Sequence, residues 1–246
     1  MELTAFAQWL NTAFAGYDAA ILGFLHRLAE AAGGLLTPLM KLVTLLGEKG
    51  LVMLLAAVAL MLFARTRKIG VCLFGAVCCG ALITNIILKD WVARPRPFET
   101  AELFRQYWQF LGSPAEDGFS FPSGHVTAAA AGMTALSLIH SKKWVVPGAI
   151  WVVLMALSRN YLVAHYPSDV LFAALIGVAS GFIAWLITRL IFRLLEDCGD
   201  TRFARFCLDF DASQLRPLLQ RAGRGGQVEP EQTENRSGYV GKHLKK

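Results

Sequence analysis

Three short runs of the chain concentrate side chains that can bind an oxyanion and move a proton. The first is Lys89-Asp-Trp-Val-Ala-Arg94-Pro95-Arg96-Pro97, in which a lysine ends an apolar stretch and two prolines hold the arginines in extended backbone. A flexible ammonium beside a rigid guanidinium fork suits a tetrahedral oxyanion. The second is Phe121-Pro122-Ser123-Gly124-His125, placed directly before an apolar helical stretch. Free backbone N–H groups, the positive end of the helix dipole and the Ser123 hydroxyl converge there, and Gly124 lets the backbone come close to a ligand. The third is Ser158-Arg159, followed after five residues by His165 and after three more by Asp169. Pro167 opens a helix there, which puts Asp169 in the first turn and within reach of a ring nitrogen of His165. A carboxylate on one nitrogen fixes the tautomer and leaves the other as a nucleophile.

Each run also has an ordinary reading on its own. Lys89 can snorkel while the arginines pair with Asp90, Glu99, Glu102, Glu116 or Asp117. Ser123 can be a plain helix cap with His125 idle in the first turn, and Asp169 a helix-start carboxylate beside an interfacial His165. Coincidence explains one such run better than three. Lys89, Arg94, Arg96 and Arg159 all fall beside apolar helix ends, on the side of the membrane that the distribution of positive charge leaves poor in cations.

The elements that must position these residues are membrane helices. Of the 246 residues 55% are apolar and 17% charged, and the apolar ones come in blocks, which excludes disordered, collagenous and disulfide-scaffold classes. Ile69 to Leu88 and Val170 to Thr188 carry no Asp, Glu, Lys or Arg, and each is long enough to cross about 30 Å of hydrocarbon. Spans are expected near Gly50–Ala64, Ile69–Leu88, His125–Ile139, Trp144–Leu157 and Pro167–Thr188. The basic residues Arg65, Arg67, Lys68, Lys142, Lys143, Arg189 and Arg193 flank alternate ends of these spans and belong in the cytoplasm. Loops 89–124 and 158–166 then share the extracytoplasmic side. The fold class is thus an all-α polytopic bundle of five transmembrane helices, or six if the N-terminal region crosses.

Residues 1–48 read as two amphipathic helices separated by Gly33, Gly34 and Pro38, because Asp18, His26, Arg27, Glu30 and Lys41 interrupt the apolar pattern at helical intervals. Residues 49–195 form the transmembrane domain. Residues 196–246 form a cytoplasmic tail that is disordered from Ala222, where Gly, Gln, Glu and Lys accumulate. Glu2 is the only charge before Asp18, so no removable signal peptide is expected. The net charge of +6 is explained by topology rather than nucleic acid, and the five cysteines have neither zinc-ligand nor disulfide spacing.

The order and spacing of the three runs resemble the signature of the type 2 phosphatidic acid phosphatase family, whose relatives include the vanadium-dependent haloperoxidases. Lys89, Arg96, Pro97, Pro122, Ser123, Gly124, His125, Ser158, Arg159, His165 and Asp169 fill every specified place. The match covers about residues 48–190. The resemblance implies that His165 attacks phosphorus, oriented by Asp169, and that His125 protonates the leaving oxygen. Lys89, Arg96, Arg159, Ser123 and the Gly124 N–H would hold the phosphoryl oxygens, and water would hydrolyse the phosphohistidine. It implies no cofactor and no metal, since fixed cations compensate the charge of phosphoryl transfer.

The expected function is a plasma-membrane lipid phosphatase working at the outer leaflet, with the bilayer and a phosphorylated lipid as its partners. Undecaprenyl pyrophosphate, phosphatidylglycerol phosphate, phosphatidic acid and lipid A phosphates are all candidates. A haloperoxidase would be soluble, whereas this chain is mostly membrane. An anion or lipid transporter would carry its cations through the bundle, not at one face. A catalytically inactive lipid-binding member would lack a motif residue, and none is missing.

Overall fold

A segment in hydrocarbon must satisfy its backbone N–H and C=O groups internally, so the charge-free runs are built as helices. A computed structural model describes residues 3–215, and the expected disordered stretch from Ala222 lies outside the described residues. Met1–Phe210 form one unit, and of Asp211–Lys246 only a 3-10 turn at Ala212–Leu215 is described. Among the described residues every regular element is helical.

The main rods are α4 (Leu51–Met61), α5 (Arg67–Ala81), α9 (Gly124–Ile139), α10 (Val145–Tyr161) and α11 (Pro167–Asp197). Ahead of them come α1 (Ala5–Ala13), α2 (Ala15–Ala31) and α3 (Leu36–Leu46); α6 (Lys89–Val92), α7 (Pro97–Thr100) and α8 (Glu102–Phe110) follow α5, and α12 (Arg202–Asp209) follows α11. Each of the five expected spans falls on a helix. Three stretches, Leu36–Met61, Arg67–Thr100 and Pro167–Asp197, are long and apolar enough to cross a membrane, and Gly124–Ile139 is a shorter apolar helix.

The interior is made of small side chains. On α9, Ala128 to Ala131 and Ala135 are buried; Ala130 and Ala131 meet Gly177 of α11, and Ala131 and Ala135 pack with its Ala184. A Cβ at Gly177 would stand 2.6 Å from the Thr127 carbonyl oxygen, and one at Gly181 2.7 Å from that of Ala131. Without hydrophobic attraction between rods in lipid, such backbone approach is what dispersion can use. The outer faces are the apolar ones: Leu55, Ile150, Val153, Leu175 and Leu190 are all more than half exposed. That inversion of the soluble pattern suits a hydrocarbon solvent.

The N-terminal region corrects one expectation. In place of two amphipathic helices over residues 1–48 there are three, and the third continues into α4 through a 3-10 turn at Glu48–Gly50. The break falls at Gly33 and Gly34, with φ of +54° and +77°. Pro38 sits in the first turn of α3, where its missing N–H costs nothing. The first apolar rod therefore begins at Leu36 rather than near Gly50. Lys41, the charge that argued against a span, lines a polar cavity. Gly50 has φ +73°, and a Cβ there would meet Val77 Cγ1 at 2.8 Å, so this turn requires glycine.

Candidate active site

All three sequence runs meet at one end of the bundle. They do so because each lies where a rod begins or ends: the close of the α5 rod, the start of α9, and the turn from α10 to α11. Between them is a cavity of about 580 Å³, lined among others by Lys89, Arg96, Gly124, His125, Arg159 and His165. Ser123 and Asp169 lie behind its wall, fully buried.

The α5 rod does not reach Lys89 as a regular helix. Leu82–Leu88 form a π-helical turn, a feature frequent at functional sites, which carries Asn85 and sets the direction of Lys89. Pro95 and Pro97 then fix extended backbone, and Arg96 turns inward with 2% exposure. Its guanidinium donates to the carbonyl oxygens of Ala164 at 2.7 Å, Asp117 at 2.7 Å and Gly118 at 2.9 Å. Its Nη1 also lies 3.2 Å from Glu116 Oε2.

Ser123 occupies the N-cap position of α9 in extended conformation, yet its hydroxyl makes no capping bond. It is buried without a partner among the described residues. The same holds for Nε and Nη1 of Arg159, whose Nη2 lies 2.5 Å from Glu116 Oε1. Buried donors are nearly always satisfied, so orphaned ones at a cavity mark a place for an acceptor. His125, in the first turn of α9, has Nε2 3.3 Å from Glu48 Oε2. Glu48 stands on the 3-10 turn between α3 and α4, outside the three runs.

His165 is 2% exposed, and its Nδ1 lies 2.6 Å from the carbonyl oxygen of Ser120. A carbonyl only accepts, so Nδ1 carries the proton and Nε2 keeps its lone pair. The sequence assigned this orienting role to Asp169, but the nearest Asp169 oxygen is 4.0 Å from Nδ1. Asp169 is taken up elsewhere. It accepts from Arg94 Nη1 at 2.6 Å, Ser120 Oγ at 2.5 Å and the Tyr166 N–H at 3.0 Å, closing the first turn of α11. Ser120 stands between Asp169 and His165, its hydroxyl donating to the first and its carbonyl accepting from the second. Burial keeps His165 well below the ordinary imidazole value of 6.5, and Arg159, Arg96, His125 and Lys89 push the same way. The ring is therefore neutral at neutral pH, as a nitrogen nucleophile must be.

Arg94, two residues before Arg96, faces away from the cavity. It pairs with Asp18 of α2 at 3.0 Å and with Asp169, and its guanidinium stacks 3.8 Å over the Tyr166 ring. Asp18 also accepts from the Ser168 N–H and hydroxyl. Sequence reasoning missed Asp18, Glu48, Glu116 as a bridge, and Ser120. A lone aspartate in the apolar stretch from Ala13 to Leu25 was the one available signal that Asp18 has a buried partner. The arrangement can bind an oxyanion, present a neutral imidazole to it, and place a second imidazole nearby for proton transfer.

Comparison with known proteins follows the same residues. The sequence profile of the PAP2 superfamily matches residues 69–193. The undecaprenyl-diphosphatase of Sulfolobus acidocaldarius is 33% identical over 126 residues, 51% of this chain and 58% of that one. Phosphatidylglycerophosphatase B of Haemophilus influenzae is 41% identical over 90 residues, 33% of this chain and 34% of that one. The lipid A 1-phosphatase of Rhizobium johnstonii is 35% identical over 129 residues, 50% of this chain and 48% of that one. The chain thus spans about a third to three fifths of the length of these curated relatives. The crystal structure of a transmembrane PAP2-type phosphatidylglycerolphosphate phosphatase from Bacillus subtilis has the same fold. Its TM-score is 0.55 at 24% identity, with 80% of this chain and 93% of that chain covered.

Proposed function

The chain belongs to the PAP2 superfamily, and from that premise we propose that it is a membrane lipid phosphatase working through a phosphohistidine on His165. The observation that carries this reading is the convergence of six motif residues on one cavity where buried donors of Arg159, with Ser123 behind the wall, still lack an acceptor. A terminal phosphate enters with its oxygens toward Arg96, Arg159, Lys89, the Ser123 hydroxyl and the Gly124 N–H. His165 Nε2 attacks phosphorus as the bond to the leaving oxygen breaks, and His125 protonates that oxygen. Water then attacks the phosphohistidine, passing a proton back to His125, and orthophosphate leaves with His165 neutral. The fixed cations compensate the charge throughout, so turnover should persist in excess chelator.

The substrate is amphiphilic, because a site at the end of rods with apolar outer faces meets a headgroup by lateral diffusion. The named relatives support diphosphate or phosphate monoesters of polyprenols, glycerolipids or lipid A, with phosphatidic acid a further candidate. The basic residues Arg65, Arg67, Lys68, Lys142, Lys143, Arg189 and Arg193 support an extracytoplasmic site in the plasma membrane, with the C-terminus cytoplasmic.

Phosphate release by the purified chain in detergent, across a panel of lipid phosphates, tests the activity. His165→Ala should lower it by at least about a thousandfold and abolish an acid-labile, base-stable phosphate label on the protein. Activity within tenfold of the parent removes the covalent mechanism. For the face, single cysteines at exposed Ala115 and at Ser141 in a cysteine-free background should differ in intact cells. The first should react with an impermeant thiol reagent and the second only after lysis; the reverse pattern inverts the topology.

A further inference from the structure

The two arginines that the phosphatase reading assigns to phosphoryl oxygens are bridged by one carboxylate. Glu116 places Oε2 3.2 Å from Arg96 Nη1 and Oε1 2.5 Å from Arg159 Nη2, and its side chain is 14% exposed. Two oxygens on one centre spanning two guanidinium groups is the arrangement a phosphoryl group would take. The segment that carries Glu116 is pinned through its backbone on both sides, Trp108 Nε1 donating to the Pro114 carbonyl at 3.0 Å on one of them. On the other, Arg96 holds the carbonyls of Asp117 and Gly118, while Gly112, Ser113 and Gly118 all have positive φ. The side chain can leave without unfolding either anchor.

Emptying such a pocket is a problem of its own. Orthophosphate held by buried cations leaves slowly unless the cations find another counter-charge, since an unpaired buried charge is costly. A tethered carboxylate supplies one at an effective concentration in the millimolar range. It penalises substrate headgroup and free phosphate alike. The lipid is concentrated in the plane of the membrane, however, and orthophosphate is not.

We propose that Glu116 is a product-release residue: its carboxylate re-enters the Arg96–Arg159 fork as orthophosphate departs and keeps free phosphate from occupying the site. This rests on the reading of the cavity as a phosphoryl pocket. Once a phosphate group displaces Glu116, both guanidinium groups bind it; when the phosphate leaves, the carboxylate restores the charge balance without water having to solvate the fork.

The test is orthophosphate binding to the full-length chain in detergent, measured by titration calorimetry, together with steady-state and single-turnover rates. Glu116→Gln should bind orthophosphate about tenfold or more tightly, because the competitor is gone. Its steady-state rate should fall and become sensitive to added phosphate, while the first turnover keeps its speed. Glu116→Asp, too short to bridge both arginines, should be intermediate, and equal melting temperatures would certify that all three are folded. Unchanged or weaker phosphate binding in Glu116→Gln, with a slower first turnover, overturns the proposal and leaves Glu116 a residue that merely positions the arginines. The two readings fail separately. Tighter phosphate binding in the variant with no lipid phosphate hydrolysed by either form overturns the phosphatase and keeps the competition between carboxylate and phosphate.

Discussion

Arg94 and Arg159 are equally buried, each about 1% exposed, and both stand at the site end of the bundle. Their surroundings differ in one respect. Arg94 is saturated: Nε donates to Asn11 Oδ1, Nη1 to Ser168 Oγ and Asp169 Oδ1, Nη2 to Asp18 Oδ2, and the Tyr166 ring covers its face. Arg159 has a single acid partner, and two of its three nitrogens have no acceptor among the described residues. A guanidinium whose three nitrogens are all answered by the protein is scaffold, tying α2 to the start of α11. One left partly unanswered at a cavity wall has the chemistry of a binding group, because the cost of burying its free N–H groups is recovered when a ligand arrives.

The comparison breaks most visibly on stability. Arg94→Met leaves Asp18 and Asp169 buried without a cation, and removing one partner of a buried pair costs about 3–5 kcal/mol. The variant should melt far below the parent in detergent, and Asp18→Asn combined with it should recover part of the loss. If Arg94→Met melts with the parent, the network around Asp18 is no scaffold. Arg159→Met should do the opposite. Removing this guanidinium should cost little in melting temperature, because two of its nitrogens are unanswered and Glu116 keeps Arg96 as a partner, while turnover falls by about a hundredfold to a thousandfold, the usual penalty for deleting one oxyanion donor. An Arg159→Met chain that keeps its activity would make the orphaned nitrogens an accident of packing.

A smaller effect, on pH, concerns the residue that joins the two regions. The folded protein holds His165 well below 6.5, whereas the unfolded chain titrates near about 6.5. Between those values the unfolded state binds the extra proton, so stability rises with pH there and is lost as pH falls through that window. Melting temperature should therefore drop between about pH 7 and about pH 5, and His165→Asn should flatten the drop. An identical slope in the variant would show that other groups carry the acid sensitivity.

Much of this was legible beforehand, and the parts that were not share a cause. Helical rods follow from charge-free runs, and the three motif runs fall at rod ends because proline and glycine stand there. The i to i+4 spacing from His165 correctly brought Asp169 near, yet not into contact, because Ser120, Arg94 and the Tyr166 N–H are closer to its oxygens. Ser120, Asp18, Glu48 and Glu116 act on partners distant in sequence or buried behind them, and their neighbourhoods have no period to betray it. The ordinary reading of the arginines also survives in part, since Arg96 and Arg159 do pair with Glu116, and Glu99 accepts from the Arg96 N–H at 2.7 Å. Lys41 misled because a charge facing a cavity within a rod looks, in sequence, like one facing lipid.

The smallest expected effect tests which atom orients His165. Ser120 belongs to both regions: its hydroxyl donates to Asp169 on the saturated side, and its carbonyl accepts from His165 on the open side. Ser120→Ala removes the first bond and keeps the second, because the carbonyl belongs to the backbone. Asp169 retains Arg94 and the Tyr166 N–H, so the loss is one hydrogen bond to a charged group, about 1.5–3 kcal/mol at most. The Ser120 N–H also donates to the Arg94 carbonyl at 2.7 Å, which holds the backbone in place without the hydroxyl. Turnover should stay within about tenfold of the parent, and the phosphate label should still form on His165. A fall of a hundredfold or more at unchanged melting temperature would mean that Asp169 steers the imidazole through the Ser120 hydroxyl. The carboxylate would then belong to the catalytic side of the comparison rather than to the scaffold.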